Sequence, residues 1–210
     1  MTALEQVCAS WGVTLDAQSP IEVPNVGREV ELPALFAVLG FKHGAEIGVE
    51  QGKYSETLCK AIPGLWLHAV DSWTAHRGYR DHVSQDKLNA FHEAARKRLH
   101  PYGAEVIRGW SVDVAEQIEN ETLDFVYIDA NHDFANVVKD IAAWSPKVRK
   151  GGIVAGHDFI RRNSDISHHV VQAVRGWTEC YKIEPWFVLG RRERREGEVR
   201  DKNRSWMWVR

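Results

Sequence analysis

Short apolar runs alternate along this chain with longer stretches in which apolar residues recur at helical spacing. The runs are Ala45–Val49, Leu65–Asp71, Ala104–Arg108, Leu123–Asp129, Ile153–Gly156, Trp186–Leu189 and Ser205–Val209. Runs of this length with few polar breaks predict strands buried on both faces. Between them lie helical patterns. Glu29 to Leu39 carries Pro33 in its first turn and stops at Gly40, and a second helix begins at Ser55, which can cap it. Asp86 to Leu99 buries Leu88, Phe91, Ala95 and Leu99, a helix from Ser111 turns Val112, Ala115 and Ile118 inward, and Phe134 to Val148 places Val137, Val138, Ile141 and Trp144 on one side. Ser167 to Trp177 repeats the pattern with Val170, Val171 and Val174. Strands alternating with helices predict an α/β fold built on a doubly wound, mostly parallel seven-stranded sheet, and right-handed crossovers bring every strand's C-terminal end to one edge.

Ahead of the first strand, residues 1–40 read as a short helix near the start, an irregular arm punctuated by Pro20 and Pro24, and the Glu29–Leu39 helix; residues 41–210 carry the sheet. The whole is expected to be one domain, since 210 residues at 44% hydrophobic content suffice for one substantial core. A net charge of −2 gives no reason to expect a nucleic-acid or membrane partner. The apolar runs fall short of a bilayer span and Met1–Ser10 lacks the features of a signal peptide, so a cytoplasmic location is expected. Cys8, Cys59 and Cys180 form no C-x-x-C pair and suggest neither disulfides nor a thiolate zinc site. Nine tryptophans are many for this length and fit an exposed aromatic interface of a homo-oligomer. The arginine-rich stretch Gly190 to Arg204, between the last two strands, is either a solvated hairpin loop or a docking surface for an acidic partner.

The chemistry begins where the first strand of the sheet turns. Ala45-Glu46-Ile47-Gly48-Val49-Glu50-Gln51-Gly52 has glycines where the chain must turn sharply and let a ligand approach the backbone. Glu50 occupies the middle glycine of the dinucleotide fingerprint, and an acid there repels a pyrophosphate. Carboxylates at Glu46 and Glu50 suit instead a ligand without phosphate that carries a sulfonium and an ammonium, as S-adenosylmethionine does. The next strand ends in Asp71, where a carboxylate can accept hydrogen bonds from both ribose hydroxyls, or merely serve as a turn acid. Ser72 follows it, and Trp73 and Trp110 lie just after strand ends, where an aromatic can stack on adenine or a sugar ring. The polar stretch Ser72 to Ser84 has no clean period and reads as an active-site loop.

These residues resemble the cofactor motif of class I S-adenosylmethionine-dependent methyltransferases. A second block strengthens the likeness: Ile128-Asp129-Ala130-Asn131-His132-Asp133-Phe134, then Gly151-Gly152-Ile153-Val154-Ala155-Gly156-His157-Asp158-Phe159, which is similar to the branch of macrocin O-methyltransferase-like and cephalosporin-hydroxylase-like proteins. The resemblance implies an S-adenosylmethionine cofactor, an adenine bordered by Trp110 and Ser111, and a sheet closed by an antiparallel hairpin that the last two strands can supply. In metal-dependent relatives of this branch, acids after the fourth and fifth strands hold a divalent cation; Asp129 and Asp158 match, while His157 departs from the all-oxygen pattern. The implied metal set is therefore Asp129, His157 and Asp158, with Mg²⁺ or a softer ion such as Mn²⁺.

The reaction this implies is methyl transfer to the hydroxyl of a small molecule such as a sugar. An alcohol is a poor nucleophile at neutral pH, so either a metal at Asp129 or a base must ease loss of its proton. His132, on the loop after Asp129, is the candidate base, since its ordinary pKa lies near neutrality; it can equally cap the next helix. Substrate choice is expected to rest on Ser72 to Ser84, Phe159 to Ser167 and the N-terminal arm. A nicotinamide-dependent oxidoreductase, which Glu50 disfavours, and a non-catalytic cofactor-binding protein of the same fold are the alternatives.

Overall fold

The computed structural model of the chain describes residues 1–75, 84–161, 168–193 and 195–210. Most of the stretch expected to form an active-site loop, and residues 162–167 of the second substrate segment, lie outside them. Among the described residues eight strands, β1 (Ile21–Val23), β2 (His43–Ile47), β3 (Trp66–Asp71), β4 (Glu105–Arg108), β5 (Leu123–Ile128), β6 (Val148–Gly156), β7 (Trp186–Leu189) and β8 (Trp206–Val209), make one sheet in the order β1-β7-β8-β6-β5-β2-β3-β4. β8 runs antiparallel to β6 and β7, giving the C-terminal hairpin, and the other pairings are parallel.

The expected seven strands become eight because part of the N-terminal arm is not irregular. Ile21 and Val23 are buried with Glu22 exposed between them, and the three residues pair in parallel with Phe187, Val188 and Leu189 at the end of the sheet. Before them, α1 (Ala3–Trp11) starts at a reciprocal cap between Thr2 and Glu5. The helices α2 (Glu31–Val38), α3 (Lys53–Ala61), α4 (Gln85–Leu99), α5 (Ser111–Ala115), α6 (Phe134–Trp144) and α7 (Val170–Cys180) connect the strands. Ser55 does not cap α3. Gly52, at φ +73°, holds the N-cap position, while Ser55 is buried inside the helix.

β5 lies in the middle of the sheet, and its successive side chains serve opposite faces. Phe125 and Tyr127 pack with Leu32, Phe36 and Leu58 on one side. Val126 and Ile128 pack with Ile141, Trp144 and Val174 on the other. Burial on both faces explains why these strands read as continuous apolar runs. The chain moves outward from β2 to β3 and β4, then returns to β5 on the other flank of β2. The switch point thus lies between β2 and β5, where open α/β sheets form a crevice beyond the strand ends.

Three arginines of the stretch between β7 and β8, Arg191, Arg200 and Arg204, bond to the protein itself. Arg204 pairs with Glu22 at 2.7 Å, Arg191 with Glu198 at 3.0 Å, and Arg200 donates to the carbonyls of Arg191 and Arg192 at 2.9 and 2.7 Å. Among the described residues no helix is long and apolar enough to cross a membrane, and Cys8, Cys59 and Cys180 are unpaired.

Candidate active site

At the switch point the backbones of β2 and β5 come so close that only glycine fits. A Cβ on Gly48, at φ +91°, would lie 2.2 Å from the Asp129 carbonyl oxygen. Asp129 is fixed in turn by its N–H, which donates to the Ile47 carbonyl at 2.7 Å. Gly52 has a different role from ligand approach: it faces α4, with Ala95 and Leu99 3.3 Å from where its Cβ would be.

Above these turns opens a cavity of about 400 Å³, within the range of small-molecule and cofactor sites. Glu46, Gly48, Glu50, Asp71 and Ser72 line one part, Trp110 and Ser111 a second, and Asp129 and His132 a third. Asp71 is held ready: its Oδ2 accepts the Glu50 N–H and its Oδ1 the Trp73 N–H, each at 2.9 Å. A carboxylate oxygen has two acceptor sites, so among the described residues each keeps one to offer to a hydroxyl.

Trp73 departs from the expected stacking surface. Its φ of +40° turns the ring beneath the site, where it is 1% exposed, packs on His92, and donates from Nε1 to the Glu50 carbonyl at 2.8 Å. It supports the turn and does not line the cavity. Trp110, by contrast, is exposed at the cavity wall. Glu46 also differs from the expected pair of free carboxylates. Burial pushes its carboxyl up to about 8, against the opposing hydrogen bond from the Ser55 hydroxyl, so it is mainly protonated at neutral pH. The Glu50 side chain stands in solvent.

The acids and histidines of the second block meet as the strand order requires. Asp158, in the left-handed region at φ +59°, lies 2.9 Å through Oδ2 from His132 Nε2. Its Oδ1 accepts from Asn203 Nδ2 at 2.7 Å, and its carbonyl lies 3.0 Å from His168 Nε2. His157 places Nδ1 3.6 Å from Asp129 and 3.4 Å from Asp158. Burial opposes charge on His157, yet the two carboxylates outweigh it and raise its pKa to about 9. His157 thus lies against both acids of the expected set through Nδ1, but it is not among the donors that converge most closely. The donor atoms that do converge, all within 4.8 Å of one another, belong to Asp129, His132 and Asp158. Burial opposes ionisation of Asp158, and His132 and His157 together hold it well below the usual carboxylate range.

Arg28, Tyr54 and Asp140 are among the cavity residues that the sequence reading left without a role. Arg28, from the N-terminal arm, reaches Asp129 Oδ2 through Nη1 at 2.6 Å and lies over the Tyr54 ring at 5.0 Å. Although burial works against its charge, Tyr127 and Asp129 hold its pKa above the ordinary value. Its backbone N–H is anchored by Asp201 at 2.8 Å. Nothing local in the sequence marks a partnership between Arg28 and Asp129. Tyr54 also lines the cavity. Asp140 could have been noticed, because it is an acid among Val137, Ile141 and Trp144 on the buried face of α6.

A family profile described as "Methyltransferase domain" matches residues 45–159, more than half of the chain. An O-methyltransferase from Bacillus cereus, solved in complex with SAH, superposes with a TM-score of 0.61 at 19% identity, covering 99% of this chain and 89% of that one. An O-methyltransferase from Streptomyces achromogenes involved in tomaymycin synthesis, in complex with SAM, gives 0.56 at 18% identity, covering 99% and 89%. These likenesses establish the fold. Among curated proteins, the uncharacterized protein y4gI of Sinorhizobium fredii is 23% identical over 146 residues, which is 67% of this chain but only 15% of that protein's length.

Proposed function

Because the chain belongs to the family described as "Methyltransferase domain", we propose that it uses S-adenosylmethionine to methylate a hydroxyl of a small molecule such as a sugar or natural product. The observation that carries the cofactor is the pairing of Asp71, with one acceptor position open on each oxygen, and the Gly48 turn around one cavity. The residues present fit such a nucleoside: Asp71 takes the ribose hydroxyls, Trp110 and Ser111 flank the base, and Asp129 faces the amino-acid end. Two structural neighbours, named as O-methyltransferases and solved with SAH and SAM, support this reading. The bound cofactor supplies an electrophilic methyl group on a sulfonium.

The chain's own residues then have to remove a proton from the acceptor. His132 is the base in this reading, aligned by Asp158, whose other oxygen is fixed by Asn203. Arg28 and His157 balance the negative charge of Asp129 and Asp158. A second reading has its own support, the convergence of Asp129, His132 and Asp158. A set of one imidazole and two carboxylates fits Mn²⁺ or a similar ion better than Mg²⁺, and such an ion would lower the cost of deprotonating a coordinated hydroxyl. Here Arg28 competes for Asp129 Oδ2.

The test is transfer of labelled methyl from S-adenosylmethionine to a panel of hydroxylated small molecules, with EDTA and with Mn²⁺, for the parent and His132→Ala. Turnover that survives EDTA and falls about 10²-fold or more in His132→Ala supports the base. Turnover that EDTA abolishes and Mn²⁺ restores supports the metal. A cytoplasmic location and a homo-oligomer remain part of the proposal, tested by fractionation and by mass in solution.

A further inference from the structure

We propose that the carboxylate of Asp140 accepts a hydrogen bond from the exocyclic amine of the cofactor's purine, and so selects a 6-aminopurine over a 6-oxopurine. The inference rests on the S-adenosylmethionine reading and adds a residue that determines its base specificity.

Asp140 sits on α6, one turn beyond Asn136, and residues at that spacing share a helix face. Both line the cavity, beside Trp110 and Ser111. Asp140 is only 5% exposed, yet no ion pair among the described residues engages it. Burial raises its pKa to about 6, with Ser111 hydrogen bonding in the opposite sense. The carboxyl is nearly enclosed, and among the described residues the Ser111 hydroxyl is the hydrogen-bond donor that offsets the cost of that burial.

The Ser111 hydroxyl explains part of that condition and leaves the rest open. It accepts from Trp144 Nε1 at 2.9 Å, so its single proton is available for Asp140. One hydroxyl satisfies one acceptor position, whereas an ionised carboxyl group has about four. What lines this part of the cavity is therefore an acceptor with capacity to spare. An amine bound here presents N–H groups. A 6-oxo group presents lone pairs to the same oxygens in a desolvated place, and sites built to bond a donor reject the analogue that lacks it far more strongly than apolar pockets reject a change of size.

The experiment is calorimetric titration of the parent and of Asp140→Asn, at pH 7.5, with S-adenosylhomocysteine and with its deaminated analogue S-inosylhomocysteine. The expected result is a preference of the parent for the amino compound of about 10²-fold or more, reduced at least tenfold in Asp140→Asn, because an amide can turn its NH₂ toward a 6-oxo group. A purely structural role for Asp140 would weaken both ligands by one common factor, and that result would overturn the proposal. Equal affinity of the parent for the two compounds would overturn it as well and needs no variant. If Asp140→Asn does not fold by its thermal melt, Asp140→Ser replaces it with the same expectation. Binding of neither compound to the parent would sink the cofactor reading itself, whereas tight binding of both without discrimination would sink this proposal alone.

Discussion

At the N-terminal ends of β2, β3 and β4, His43 and His68 face each other Nε2 to Nε2 at 2.9 Å, His68 Nδ1 lies 2.8 Å from Glu105, and His43 Nδ1 lies 3.0 Å from the Thr122 carbonyl. At the opposite edge, His132 and His157 stand among Asp129 and Asp158. Both edges gather histidines and acids, yet they differ in what surrounds them. The first cluster is spread across paired strands, is covered by Trp66 stacked on His43 at 4.1 Å, and exchanges bonds with neighbouring strands. The second sits on turns beyond the strands and borders a cavity of about 400 Å³. A cluster of titratable side chains is thus a poor marker of chemistry unless the backbone beneath it has left the sheet.

That contrast breaks most severely at Gly48. Gly48→Ala would force a methyl onto the Asp129 carbonyl at positive φ, and a stability loss on the order of 3–5 kcal/mol is expected in denaturant titration. A next-smaller effect concerns Glu46. Its folded pKa, about 8, lies above the ordinary carboxyl value, so the folded state binds the extra proton. Stability is therefore expected to be highest below pH 4.5 as far as this group is concerned, and to fall by about 2–4 kcal/mol as pH rises toward 8. Glu46→Gln removes this slope, which melting curves across that range would read. At the other edge, His68→Gln should cost about 1–2 kcal/mol of stability while leaving S-adenosylhomocysteine affinity unchanged; a loss of affinity would erase the distinction between the two edges. The smallest effect is expected from Asn203→Ala, about 1 kcal/mol in stability with cofactor affinity intact, and a lower turnover once an acceptor is known.

The parallel strands were legible because burial on both faces leaves little room for polar residues, as in Phe125-Val126-Tyr127-Ile128. β1 was not legible, since three residues between two prolines carry too short an alternation, and what makes them a strand is β7, far along the chain. In the site, the positions after strand ends were readable from the topology alone. The direction of each side chain was not: Trp73 and Trp110 occupy similar places in sequence, but φ +40° turns the first beneath the cavity. The two glycines of the turn separate in the same way, Gly48 meeting Asp129 and Gly52 meeting α4. Arg28 lay beyond any local pattern because the arm that carries it is tied down by Asp201 near the other end of the chain.

The central claim is that the cavity at the β2/β5 switch point holds S-adenosylmethionine through Asp71. Calorimetric titration with S-adenosylhomocysteine, on the parent and on Asp71→Ala, tests it most directly. Micromolar or tighter binding to the parent, weakened about 10²-fold in Asp71→Ala, which takes away both oxygens proposed to hold the ribose hydroxyls, is the predicted result. No binding to a folded parent, or equal binding by both proteins, would contradict the account.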